Sequence, residues 1–398
     1  STGSVNFLIN GFCMGVCTGF AIPVAQRFGA EDEKGQRRYV GNSIWLSAVF
    51  AVIMTVIVSV FCREILILMQ TPADIIDDAY AYIFIIFVGI PVTYLYNLTS
   101  GIIRSLGDSK TPVYFLLMAS ALNIVLDILF ITQFDSGVAG AAYATVISQL
   151  VSGIACLIFM AKKFPILRLE RDDLRPRKPC MMTLCSMGVP MGLQYSITAI
   201  GSVILQAAVN GLGSAAGASM TAASRLSMFV VCPFDALGST MATYGGQNVG
   251  ARKLPRIKAG LKSATILGGV YSVFALLLLL VAGNLLLQLF LSANETAIMA
   301  DARMFLIIQA VFYFPLALVN IVRFLIQGIG FPFLAILAGV MEMIARTLAA
   351  IFLVPAFGFL GSAFASPIAW IMADAFLIPA FFYVYKKLSR QMGTDFEN

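Results

Sequence analysis

The chain has 398 residues; 60% are hydrophobic and only 12% charged, with 26 Lys and Arg against 20 Asp and Glu, a net charge of +6. A soluble chain carries roughly twice that share of charge, so water is excluded as the main solvent. There is no histidine, which excludes His-ligated zinc and His-based acid–base catalysis and leaves any proton handling to carboxylates.

Apolar runs long enough to cross a bilayer, ~20 residues each, follow one another along the chain. They predict eleven spans: 1–28, 40–62, 74–105, 111–132, 137–161, 180–211, 216–248, 261–291, 295–328, 332–354 and 358–387. Several exceed the bilayer thickness, so tilt or extension past the membrane is expected. Pro91 and Pro315, at matching points of spans 74–105 and 295–328, predict bends. The cysteines lie mostly in apolar runs (Cys13, Cys17, Cys62, Cys156, Cys232) and read as small buried hydrophobes, not as a disulfide frame.

Charge predicts the orientation. The loops after alternate spans, together with the C-terminal tail, hold 21 Lys and Arg, whereas the opposite side holds only Arg63 and Arg303. The positive-inside rule puts the first set, and the C-terminus, in the cytoplasm. The positive net charge therefore follows from topology and implies no nucleic-acid partner.

The chain also repeats itself. "VAQRFGA" (Val24 to Ala30) returns in "GGQNVGA" (Gly245 to Ala251), with Gln26, Gly29 and Ala30 falling on Gln247, Gly250 and Ala251 at a shift of 221. At the same shift "GVAGAAYATVISQ" (Gly137 to Gln149) meets "GFLGSAFASPIAW" (Gly358 to Trp370), and between them "RSLGDSKTP" matches "QGIGFP" with a gap. Three blocks in register indicate an internal duplication. Span 180–211 has no counterpart in the first copy, and the chain opens without an initiator Met or a cleavable leader. A first helix of roughly forty residues is therefore expected upstream of Ser1, completing two halves of six spans in the same orientation. The expected fold is an all-α membrane protein: an N-lobe at 1–161, a cytoplasmic linker at 162–179, a C-lobe at 180–387 and a cytoplasmic tail at 388–398.

"VAQRFGA", "RSLGDSKTP", "NIVLDILFI", "GVAGAAYATVISQ", "GVPMGLQYS" and "GGQNVGA", in this order and spacing, resemble the multidrug and toxic compound extrusion (MATE) family of cation-coupled antiporters. The likeness runs over essentially the whole chain, from the family's second helix to its twelfth. It implies two pseudo-symmetric six-helix lobes that rock around a central cavity. It also implies expulsion of amphipathic, mostly cationic organic compounds against inward flow of Na+ or H+, with no other cofactor, by a monomer in the cell (inner) membrane. Asn123, Asp127 and Thr145 match the family's Asn-x3-Asp and following-helix Thr, which help form the N-lobe cation or proton site. A carboxylate, an amide oxygen and a hydroxyl are hard ligands suited to sodium. The alternative is an Asp that satisfies hydrogen bonds between packed helices. A further N-lobe carboxylate on the family's first helix has no position in this sequence.

Other charges inside the spans need reasons, because each costs at least ~2.5–3.5 kcal/mol at mid-depth. Glu342 and Arg346, one turn apart, read as a self-neutralised pair or as part of coupling or substrate binding, with Arg346 also able to reach Asp374. Asp235, two residues after Pro233, reads equally as cavity-lining or structural, and Gln194 as a cavity polar residue. Arg225 and Arg323, nearer the span ends, are expected to snorkel.

No phosphate loop of the G-x4-G-K-[ST] type is present, so ATP hydrolysis by that route is excluded. An intramembrane enzyme is disfavoured for want of a nucleophile–base arrangement. The alternative function is a flippase for lipid-linked oligosaccharide precursors, of the same superfamily. It would need cationic cavity residues for a pyrophosphate, and here the mid-membrane acids outnumber unpaired bases.

Overall fold

The computed structural model describes residues 2–68 and 71–393. The chain divides into two compact units, Ser1–Ser196 and Ile197–Asn398. The first contains α1 (Thr2–Gly29), α2 (Glu33–Val60), α3 (Cys62–Leu68), α4 (Ile76–Val88), α5 (Ile90–Ser105), α6 (Lys110–Thr132) and α7 (Gly137–Lys163). A long helix, α8 (Lys178–Asn210), runs across the division. The second unit contains α9 (Ser214–Gly250), α10 (Leu254–Leu287), α11 (Thr296–Val311), α12 (Tyr313–Gly328), α13 (Pro332–Leu348), a π-helical turn at Ala349–Leu353, α14 (Val354–Phe357) and α15 (Phe359–Met392). Apart from a 3-10 turn at Pro165–Leu167, the other described residues are turns and irregular chain, with no strand. Of the tail expected at 388–398, α15 takes in the residues up to Met392, and 394–398 lie outside the described residues.

Among the described residues nine helices are long and apolar enough to cross a membrane, and the two bent pairs bring the number to eleven. Spans 74–105 and 295–328 are those pairs: α4 and α5 meet at 45°, α11 and α12 at 54°. Each break stands just before a proline, Pro91 or Pro315, whose missing N–H and ring break the helical ladder. The span expected from 40 starts earlier, at Glu33, because Asp32 accepts a 2.9 Å bond from the Gly35 N–H and caps the helix.

The duplication is written in the backbone. Helix α1 ends with Ala30 N–H donating to the Gln26 carbonyl at 3.0 Å and Asp32 N–H to Arg27; α9 ends with Ala251 donating to Gln247 at 2.9 Å and Lys253 to Asn248. The residue between, Glu31 in one and Arg252 in the other, has φ of 56° in both. A left-handed residue here returns the chain into the next helix and satisfies the last carbonyls. Gly137 and Gly358, also 221 apart, have φ of 56° and 62° and open the equivalent helices α7 and α15.

Packing repeats as well. The second helix of the bent pair is central in each unit: α5 lies against α1, α2 and α7, and α12 against α9, α10 and α15. Tyr94, Leu98 and Ile102 of α5 are buried with Phe20 of α1, as Tyr313, Ile321 and Leu325 of α12 are with Phe234 of α9. The outward faces stay apolar. Val52, Ile53, Val56 and Val60 of α2, and Val270, Val273, Leu277 and Val281 of α10, are all exposed. Such stripes suit a lipid solvent, where helix association depends on close packing rather than on apolar burial. Close packing is visible in the first unit, where Gly15 and Gly19 of α1 lie directly on the backbone of α8 around Gly188 and Gly192.

The segment 164–177 is folded onto the first unit. Asn42 Oδ1 accepts from the Arg177 N–H at 2.8 Å, the Trp45 indole donates to the Leu174 carbonyl at 2.7 Å, and Arg37 pairs with the buried Asp173 at 3.3 Å. Cysteines 13, 17, 62 and 156 are buried as expected, but Cys232 is exposed, because its position on α9 faces away from the packed side.

Candidate functional site

In the first unit, α6 packs chiefly on α7. That contact brings Asn123 to Thr145: the Asn123 amide donates to the Thr145 hydroxyl at 3.4 Å, and the hydroxyl itself donates to the Ala141 carbonyl at 3.0 Å. Asp127 lies one turn along α6 on the same face. Its Oδ1 is buried without a hydrogen-bond partner. Tyr82 of α4, which the sequence reading did not single out, lies within electrostatic reach of the Asp127 carboxylate. The arrangement offers a carboxylate oxygen, a hydroxyl and an amide on adjoining helices, and among the described residues no guanidinium is bonded to them. Such a set accommodates a proton or a small hard cation. No group of three or more His, Cys, Asp or Glu positioned for a metal ion exists among the described residues.

The second unit gathers a different set. Glu342 of α13 accepts from Arg346 at 3.3 Å, the expected intrahelical pair, and also pairs with Arg323 of α12. All three are buried. Arg323 therefore does not snorkel: α12 is the central helix of its unit and offers that side chain no lipid interface. Arg346 turns to Glu342 and, at 3.5 Å, to Ser366, while the charge acting on Asp374 is that of Arg323, not the Arg346 expected to reach it. Asp235 of α9 is exposed and accepts from the Asn320 amide at 3.2 Å. Asn320 and Arg323, three residues apart on α12, face the same way and join Asp235, Glu342 and Arg346 into one cluster. Gln194 is buried on α8, in the part that belongs to the first unit. Arg225 is exposed on α9.

Outside the spans, Asp108 organises the start of α6. Its carboxylate accepts from the Thr111 N–H at 3.0 Å and hydroxyl at 2.7 Å, with Lys163 at 3.6 Å. Partial burial raises its pKa, but these bonds and the lysine outweigh it and leave the carboxyl below its ordinary value.

Comparison with known proteins agrees with this architecture. The MatE family model matches residues 1–129 and 190–348. The chain is 29% identical over 301 residues to the probable multidrug resistance protein YoeA of Bacillus subtilis, a stretch covering 74% of this chain and 65% of that protein. It is 28% identical over 323 residues to the probable multidrug resistance protein YpnP of the same organism, covering 80% of this chain and 70% of the relative. A crystal structure of MATE in complex with MaL6 superposes with a TM-score of 0.90 at 20% identity, over 97% of this chain and 87% of that one. The match to YoeA thus spans less than two thirds of that relative's length.

Proposed function

Because the chain belongs to the MatE family, we propose that it is a secondary active transporter that exports amphipathic, mostly cationic organic compounds in exchange for Na+ or H+. It is a carrier, not an enzyme. The observation that supports coupling most directly is Asp127, a carboxylate within a membrane span, with one buried oxygen unpartnered beside the Asn123–Thr145 pair. A charge so placed persists only where it has a use, and alternate binding and release of a small cation is the use that fits.

The cycle follows from that group. With its cation bound, the Asp127 region is neutral and tolerates being closed from water. With the cation released, the exposed carboxylate favours an open, hydrated arrangement. Movement of the two units carries the change across the membrane, with the breaks before Pro91 and Pro315 as natural points of bending. The 21 basic loop residues support a cytoplasmic C-terminus, and the reading takes the protein as a multi-pass monomer of the cell membrane. The relatives' names as multidrug resistance proteins support the choice of cargo. A flippase for pyrophosphate-linked precursors would want free guanidiniums, whereas Arg323 and Arg346 are both engaged with Glu342.

Export of a fluorescent organic cation from proteoliposomes, under an imposed Na+ or H+ gradient, tests the reading. The wild-type protein should export and Asp127→Asn should lose at least tenfold in rate. Unchanged export by Asp127→Asn would reject the role of Asp127. No export by the wild type under either gradient would reject the function.

A further inference from the structure

The strap between α7 and α8, residues 164–177, brings three guanidiniums to one carboxylate. Asp172 lies 2.8 Å from Arg177 Nη2, 3.7 Å from Arg175 Nη1 and 3.8 Å from Arg38 Nη2 of α2. Only the first of these is short enough for a hydrogen bond. The neighbouring Asp173 is buried and already taken, by Arg37 at 3.3 Å and by the Glu170 N–H at 3.0 Å. The Nε groups of Arg38 and Arg177 are themselves buried and have no hydrogen-bond partner among the described residues. The cluster thus keeps an excess of positive charge and donors that no side chain meets. A positive-inside bias explains why basic residues lie at this end of the spans, but not why three of them converge.

The cluster is held in place before any ligand arrives. Asn42 of α2 accepts from the Arg177 N–H at 2.8 Å and donates to the Arg175 carbonyl at 3.4 Å. Gly41, having no side chain, lets the Asp173 backbone lie directly on α2. Arg175 and Arg177 are therefore fixed beside Arg38, which lowers the entropy lost on binding. The depth is marked as well. Trp45 is 49% exposed, and its indole donates at 2.7 Å to the carbonyl of Leu174, next to Arg175. Beyond it on α2 come the exposed Val49, Val52 and Ile53. Indole rings settle where hydrocarbon meets headgroups. Arg38, seven residues before Trp45, stands ~10 Å nearer the water.

We propose that Arg38, Arg175 and Arg177 bind the phosphate of an anionic phospholipid, whose chains lie along the exposed apolar face of α2. Guanidiniums recognise phosphate oxygens by paired, charge-assisted hydrogen bonds, and the free Nε donors supply them here. A free phosphate shares that chemistry, but a site at headgroup depth beside a lipid-facing stripe favours the anchored form. Once bound, the phosphate bridges α2 to the strap and secures the segment that leads into α8. The site stands on the first unit's membrane embedding and does not depend on Asp127 coupling transport.

The chain has two tryptophans, Trp45 and Trp370, so the full chain with Trp370→Phe reports from Trp45 alone. It is placed in phosphatidylcholine vesicles with increasing dibrominated phosphatidylglycerol, whose bromine quenches indole fluorescence on contact. Dibrominated phosphatidylcholine serves as the reference. The anionic lipid should be preferred at Trp45 by about fivefold, the gain expected for one arginine near an anionic headgroup. Adding Arg38→Gln and Arg177→Gln should bring the preference close to one. Lys262→Gln, exposed on α10, should leave it unchanged. Equal quenching by the two lipids would overturn the proposal, as would a full preference in the folded arginine variant. An equal loss in Lys262→Gln would mean attraction by bulk charge and overturn it too. Excess inorganic phosphate should not relieve the quenching; relief would give the site to a free anion and overturn the lipid assignment. If the double arginine variant fails to fold, Arg175→Gln, at a side chain 77% exposed, decides: the preference should fall by at least half, and an unchanged one overturns the proposal.

Discussion

In the first unit, the helix after the bent pair carries Asn123 and Asp127; aligned on Pro112 and Pro332, α13 has Met343 and Thr347 at those places. Conversely Glu342 and Arg346 stand where the first unit has Leu122 and Leu126. The turns that close the helices, the breaks before Pro91 and Pro315 and the central place of α5 and α12 are shared by both units. Duplication has kept what backbone geometry demands and exchanged the ionisable groups. The first unit holds a carboxylate without a cationic partner. The second holds a carboxylate between two cations, with Asp235 bonded to Asn320 on the same helix as Arg323.

That contrast can be broken first at its strongest point. Arg323→Leu would strip Glu342 of one buried partner and leave Asp235 and Asp374 without their counter-charge. Denaturant titration in detergent should show a loss of about 3–5 kcal/mol, the range for breaking a buried pair. Asp127→Asn, an isosteric change where no ion pair exists, should move stability by less than about 1 kcal/mol. Equal losses from the two variants would mean that Asp127 is structural and that the contrast is false.

The helix contacts sharpen the comparison at smaller scale. Gly19 rests on the α8 backbone at Gly188, whereas its counterpart on α9, Thr240, is exposed. Gly19→Val should destabilise by about 1–3 kcal/mol through overpacking, and Thr240→Val should be neutral within about 0.5 kcal/mol. Parallel unfolding curves of the two variants check this.

The smallest effect is a matter of pH. Asp108 caps α6, but α13 starts at Phe331–Pro332 with no capping side chain. Asp108→Ala should cost about 1 kcal/mol at neutral pH. The folded carboxyl titrates below its unfolded value of about 3.9, so its contribution is complete above that value and fades as pH falls through the lower, folded one. Unfolding curves of wild type and Asp108→Ala should therefore converge in acid and separate toward neutrality.

Much of this frame was legible in the sequence. Span number, the repeat at 221 and the bends at both prolines follow from apolar length, small-residue blocks and proline chemistry, which are local properties. Asn123 and Thr145 were paired by a resemblance, and their hydrogen bond depends on α6 lying on α7, which no local pattern states. Arg323 was misread because its distance from the span end suggested snorkelling. Only the packing of α12 against α9, α10, α13 and α15 shows that it has no lipid to reach. The docking of 164–177 on Asn42 and Trp45 had no periodic signal, since it rests on single hydrogen bonds between segments far apart in sequence.

The central claim, that Asp127 carries the coupling cation, is tested most directly by watching that cation move. Proteoliposomes containing the full chain and separate H+- and Na+-sensitive dyes should report one of these ions crossing inward as an organic cation leaves. The signal should vanish in Asp127→Asn while binding of the organic cation persists. Ion movement of equal size in the variant would contradict the account.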